Sequence, residues 1–140
     1  SGGNPDINSF AKRTVFIMVH EKRRFTPSVS YITSPGWRVK KWPGGDFVHR
    51  RELYGAAYRG GPSAVISTAG VFRFDDETGR IYLDTCHPGK TPEEIREMCH
   101  FDLDISRVSG ETLPPTREEL HFIHEVLDPE QIFIPKVKKA

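Results

Sequence analysis

Cysteine is scarce in this chain of 140 residues: only Cys86 and Cys99 are present. Two thiols do not make the cross-linked framework of a small secreted domain, so reduced side chains and a cytoplasmic location are expected. No apolar run approaches the roughly 18 residues that cross a bilayer, which excludes a membrane-spanning helix. The opening Ser1-Gly2-Gly3-Asn4-Pro5-Asp6 has neither the basic start nor the apolar stretch of a secretory signal. Internal repeats and low-complexity tracts are missing, as are Ser-x-x-Lys, Gly-x-Ser-x-Gly and Walker-type loops. A dominant charge sign is lacking too, with a formal net charge of +1.

That near-neutrality hides an asymmetry. Residues 1–60 carry 11 Lys/Arg against 4 Asp/Glu, and residues 61–140 carry 9 against 15. A basic half suits an anionic ligand, an acidic partner surface, or simply water. The basic residues form neither a dense block nor an aromatic-interleaved platform, so nucleic acid is not an expected partner. Hydrophobic residues at 36% and charged residues at 28% are globular proportions.

The pattern of elements is mixed. Thr14 to Val19 is a continuous apolar, β-prone run, which predicts a strand buried on both faces. Val29 to Thr33 alternates and reads as a second strand. Residues 36–62 are irregular, with a short helix expected near Phe47 to Tyr54. Ala64 to Ser67 is a third apolar run. Val71 to Phe74 and Arg80 to Asp84 flank a turn that ends at Gly79, a hairpin. Phe101 to Ile105 alternates as a further strand. Asp6 is placed to cap a helix over Ile7 to Ala11. Thr91-Pro92-Glu93-Glu94 and Thr116-Arg117-Glu118-Glu119 are capping boxes. They open helices to about Met98 and to Leu127, the second with Leu120, Ile123, Val126 and Leu127 on one face. The tail Lys136 to Ala140 is expected to fray. This order predicts a single α/β domain over residues 1–140, with an open mixed sheet and flanking helices.

No complete catalytic set emerges from the residue types. Gly2-Gly3-Asn4 precedes a helix, where glycines let backbone N–H groups approach an anion or an oxyanion. A flexible terminus accounts for the same residues equally well. His121 and His124 are spaced for a metal, but no Glu-x-x-His pair accompanies them, and no metal site is expected. His20 follows an apolar strand, a place where α/β sites collect residues and where structural histidines are also common. Cys86 and His87 are sequence neighbours and face opposite ways on a strand, so they are no dyad. Cys99 ends a helix, where the dipole disfavours a thiolate.

Several segments, taken in order, resemble the β subunit of family I coenzyme A transferases, of the glutaconate type. They are residues 1–7, residues 11–18, His20-Glu21-Lys22-Arg23-Arg24-Phe25, and Tyr31-Ile32-Thr33-Ser34-Pro35-Gly36. Gly61 to Ile66, Gly70 to Phe74, His87-Pro88-Gly89 and Leu127-Asp128-Pro129 complete the set.

The resemblance implies an open α/β fold shared with sugar-phosphate isomerases and an active site formed between an α and a β subunit. It implies that a glutamate carboxylate attacks an acyl-CoA thioester and passes CoA to a second carboxylic acid through a glutamyl-CoA intermediate. Gly2, Gly3 and Asn4 match the family's glycine loop and are the implied oxyanion and thioester-binding positions. The nucleophilic glutamate lies upstream of that loop in the family, and Glu21 and Glu52 match neither its context nor its place. The chain therefore reads as the C-terminal half of a β subunit. Its expected partners are the missing N-terminal half and an α subunit, its substrates acyl-CoA and a carboxylate, with no metal or other cofactor. Ring-opening CoA-thioester hydrolases and decarboxylases on the same scaffold lack the glutamate and are the alternative reading, beside a non-catalytic binding subunit.

Overall fold

The structure is a computed structural model and describes residues 2–55 and 60–134. The first helix, α1, spans Asn4–Phe10, with Pro5 in its first turn, where a missing N–H costs nothing. Its cap is Gly3, with no side-chain capping bond. Asp6 therefore sits inside the first turn, near the positive end of the helix, and does not cap it. Strand β1, Thr14–Met18, follows, and then a 3-10 turn over Lys22–Arg24.

A small two-stranded antiparallel sheet comes next, made of β2 (Arg38–Lys40) and β3 (Phe47–His49), and it leads into α2 (Arg50–Tyr54). The main sheet is completed by β4 (Pro62–Ser67), β5 (Gly70–Phe74), β6 (Ile81–Cys86) and β7 (Gly110–Glu111). Helix α3, Pro92–Glu97, lies between β6 and β7 in the chain. Both halves of the capping box form there: Thr91 accepts from the Glu94 N–H, and Glu94 accepts from the Thr91 N–H. A second complete box at Thr116 and Glu119 opens α4, Arg117–His121.

The five strands run in the order β1-β4-β5-β6-β7. Parallel pairing joins β1 to β4 and β6 to β7, and the two central contacts are antiparallel. The sheet is open and mixed, as the pattern predicts. Its turn at Asp75 to Gly79 is stitched by the Asp75 carboxylate, which accepts from the Glu77 and Thr78 N–H groups. Gly79 closes it at φ +67, a conformation suited to glycine.

The core lies on the α3 face and gathers Phe25, Val65, Phe72, Leu83, Ile95, Cys99 and Leu103. Phe72 and Leu83 are fully enclosed, and burial of each is worth about 1.5–3 kcal/mol.

Four further expectations are corrected. Residues 29–33 form no strand, and Val29, Tyr31 and Ile32 are exposed; alternation alone forms no strand without a ladder partner. Residues 101–105 supply only a single bridge, Asp104 to Tyr82, because the Asp104 carboxylate accepts from Ser106 N–H and turns the chain. The helix from 117 loosens into a π-helix over Phe122–Leu127, so its apolar residues leave one face and none is buried. Most consequential is β1, whose sequence predicts cover on both faces. It is the edge strand, with Val15, Phe16 and Ile17 exposed and Ile17 83% open. The tail 136–140 lies outside the described residues.

Candidate functional site

In open α/β sheets, ligands bind beyond the carboxyl ends of the parallel strands. Here β1 and β4 are adjacent and parallel, and β6 runs the same way two strands along. Three polar groups follow from that geometry. His20 lies just past β1, Ser67 ends β4, and His87 follows Cys86 at the end of β6.

Ser67 is the hub. Its hydroxyl oxygen accepts from the Ala69 and Gly70 N–H groups at 3.1 and 3.2 Å, which tightens the reversal between β4 and β5. The same oxygen lies 3.2 Å from Nδ1 of His20. The hydroxyl itself donates to the Gly70 carbonyl oxygen at 3.2 Å, so Ser67 is engaged chiefly with the β4–β5 reversal. The His20 ring lies 4.3 Å from that of Phe25 and stacks on Phe72 at 5.8 Å. Burial pushes its pKa below 6.5; a backbone interaction with Ile95 opposes the shift and the Lys90 charge adds to it. Nε2 itself is enclosed without a well-formed hydrogen bond.

His87 reaches Ser67 from the other side. Its Nε2 lies 2.9 Å from the Ser67 carbonyl oxygen and must donate, since a carbonyl only accepts. In the neutral ring, Nδ1 then accepts from Thr112 at 3.0 Å, and Thr85 donates to Thr112 at 2.7 Å. The His20 N–H donates to the Thr68 hydroxyl at 3.0 Å. Thus the ends of β1, β4 and β6 and the strand β7 are held by one polar chain.

Beside it opens a cavity of about 100 Å³, lined by His20, Thr68, Ala69, Lys90, Glu94, Ile95 and Met98. A larger cleft of about 500 Å³ lies at the opposite end of β6, around Arg80, Ile81 and Tyr82. There Arg107 is already engaged by Asp75 and Asp104 and lies over the Tyr82 ring at 4.8 Å.

Gly2, Gly3 and Asn4 sit at the exposed start of α1. Gly2 adopts φ +57, and a Cβ at either glycine would meet no atom within 4 Å. None of the three lines the His20 cavity. Neither thiol is activated: Cys86 is raised by burial, and burial takes Cys99 up to about 11. Among the described residues, no three His, Cys, Asp or Glu side chains gather as a metal site. The sequence pattern singles out His20 but misses Ser67, His87 and Thr112. The signal for Ser67 and His87 is a polar residue ending an apolar run, which places both at strand ends.

No family model matches the chain. It is 39% identical over 134 residues to the β subunit of glutaconate CoA-transferase from Acidaminococcus fermentans, an alignment that covers 96% of this chain and 47% of that one. The solved glutaconate coenzyme A-transferase from the same organism superposes with a TM-score of 0.77, at 38% identity, over 96% of this chain and 48% of its own. The chain belongs to the coenzyme A transferase family, on the β-subunit side. A second coenzyme A transferase relative is the β subunit of 3-oxoadipate CoA-transferase from Pseudomonas knackmussii, 30% identical over 86% of this chain and 43% of that one. The crystal structure of Rhodococcus jostii RHA1 IpdAB matches at a TM-score of 0.70 and 26% identity, over 94% of this chain and 49% of its own. The open mixed sheet with flanking helices is thus a coenzyme A transferase fold. The chain spans about half the length of the curated coenzyme A transferase subunits it matches.

Proposed function

We propose that this chain forms the C-terminal half of the β subunit of an acyl-CoA:carboxylate CoA-transferase, working with the other half of that subunit and with an α subunit. The observation that carries the reading is the 39% identity to a CoA-transferase β subunit across 96% of the chain. The uncovered edge strand supports it physically. A parallel apolar strand such as β1 belongs inside a sheet, and its exposed Phe16 and Ile17 are surface that a partner would take from water.

In this reading the nucleophile is a glutamate outside the chain. Its carboxylate oxygen attacks the thioester carbonyl and expels the CoA thiolate, leaving a mixed anhydride. The thiolate then attacks the glutamyl carbonyl, which forms the glutamyl thioester and frees the first acid as its carboxylate. A second carboxylate runs the two steps in reverse and leaves as the new acyl-CoA. Gly2, Gly3 and Asn4 are assigned to the oxyanion and the thioester, through backbone donors at the start of α1. No metal or redox cofactor takes part, and the cytoplasm is the assigned location.

The test is exchange of CoA between an acyl-CoA and a free carboxylate, measured with this chain alone, with its partners, and with a chelator. The chain alone is expected to be inactive, and the assembly active with or without chelator. Transfer by the chain alone would place the nucleophile within it. A second reading, a CoA-thioester ring-opening hydrolase or decarboxylase, is favoured by the fold-wide likeness to IpdAB. Hydrolysis without CoA exchange, with the partner's glutamate replaced, would select it.

A further inference from the structure

Helix α4 and the π-helix after it bury no side chain, and of residues 113–134 only Asp128 is buried. Leu113 and Phe133 are 87% and 83% exposed. So much apolar surface on one segment marks a contact with something beyond its own fold. The end of this arm is nonetheless fixed. The Asp128 carboxylate accepts from the Ile132, Phe133 and Ile134 N–H groups at 2.8, 3.0 and 2.7 Å. The backbone carrying three exposed apolar side chains is thus set before any partner arrives, which lowers the cost of docking. The arm is acidic as well: residues 113–134 hold five Asp/Glu against the single Arg117, a balance of −4.

The β2–β3 hairpin is its complement. Residues 38–51 hold Arg38, Lys40, Lys41, Arg50 and Arg51 against Asp46, a balance of +4. Arg38, Lys40, Lys41 and Arg51 have no carboxylate within ion-pair distance among the described residues. Beside them runs a groove of about 330 Å³ whose apolar lining includes Ile32, Val39, Phe47 and Tyr54, with room for one aromatic side chain. No residue of 113–134 lines that groove in its own chain.

We propose that residues 113–134 of one copy dock on the β2–β3 hairpin of a second copy, with Phe133 in the groove and Glu118 and Glu130 toward Lys40 and Lys41. Both faces occur on one chain with equal and opposite charge, so a second copy supplies the matching surface. Each copy gives an arm and receives one, and the exchange closes a two-fold pair. Apolar burial supplies the affinity, and the charges set the register and make pairing weaken with salt. The contact does not rest on the transferase reading.

The test uses the full chain, alone and with its partner chains, as a mixture of isotope-labelled and unlabelled copies. A carbodiimide joins carboxylates to lysines at zero length. Mixed-isotope links from Glu118 or Glu130 to Lys40 or Lys41 are expected. Their absence, or links from these glutamates to a partner chain instead, overturns the proposal. Sedimentation velocity at low salt is the second measurement. Lys40→Glu with Lys41→Glu is expected to weaken pairing at least tenfold, and so is Glu118→Lys with Glu130→Lys, both with denaturation midpoints near that of the wild type. Mixing the two variants makes both contacts complementary again and is expected to restore pairing to within about threefold of the wild type. No recovery on mixing overturns the exchange. A wild-type assembly that pairs in this way but exchanges no CoA keeps this contact and overturns the transferase reading.

Discussion

The Ser67 hydroxyl lies 3.2 Å from Nδ1 of His20 with both of its lone pairs already held by backbone N–H groups. A proton on Nδ1 faces an oxygen that already accepts from two backbone N–H groups and donates to the Gly70 carbonyl. This geometry acts in the same direction as burial, which lowers the pKa of His20 below 6.5.

The pH dependence of stability follows with a definite sign. The unfolded chain takes up the His20 proton near pH 6.5, and the folded chain only at lower pH. Between those two values the unfolded state holds more protons, so stability falls as pH falls. Above about 6.5 the contribution is fully present. Lys90 and Glu94 line the same cavity as the ring and are common to both proteins. Thermal midpoints are expected to drop more between about pH 7.5 and about pH 5.5 in the wild type than in His20→Gln. Carboxylates held low, such as Asp75 and Asp128, act at more acid pH and are common to both proteins. Parallel curves for the two proteins would contradict the buried neutral ring.

Gly70 begins β5 directly against β6. A Cβ there would lie 2.5 Å from the Thr85 carbonyl oxygen and 3.2 Å from Leu83 Cδ1. The first of these is backbone in the sheet and cannot swing aside. Gly70→Ala is expected to destabilise by about 1–3 kcal/mol, read as a lower urea midpoint with an unchanged slope.

The two glycines before α1 separate fold from function. Gly3 adopts φ −72 with open space around its Cα, so Gly3→Val is expected to leave the circular dichroism spectrum and the denaturation midpoint unchanged. In the assembled enzyme the same substitution should lower CoA transfer about 10²- to 10³-fold, because a branched side chain blocks approach to the backbone donors. Full turnover in Gly3→Val would reduce Gly2-Gly3 to a terminus.

Ile17 tests the edge of the sheet. It is 83% exposed, so Ile17→Lys is expected to change the stability of the chain itself by no more than about 0.5 kcal/mol. Assembly with the other half of the β subunit is expected to weaken at least tenfold, measured by light scattering across a dilution series. Equal assembly of both proteins would place the interface elsewhere.

Legible in the sequence is what neighbouring residues decide among themselves. Thr91 with Glu94 and Thr116 with Glu119 settle their helix starts within four residues, and both boxes form. The Asp75 to Gly79 turn is equally local. The strand at 14–18 reads as a strand of the buried kind, but the residues meant to bury it are not among those that pack on it here. Residues 29–33 and 101–105 alternate convincingly and still fail, because pairing depends on a partner and not on the pattern. The Ser67 hub is illegible for a related reason. Its two histidines lie 47 residues before it and 20 after it, and the strand order β1-β4-β5-β6 brings them to one place. At the other end of the scale, the Gly2-Gly3-Asn4 assignment comes from resemblance and has no geometric echo in the cavity.

The open edge of β1 has a consequence for how this stretch of chain behaves when nothing covers it. An apolar parallel edge strand is a template for any compatible strand, including the β1 of another copy. Any copy left uncovered would carry that template into solution. Loss of cover would then show first as insoluble material and only later as lost function.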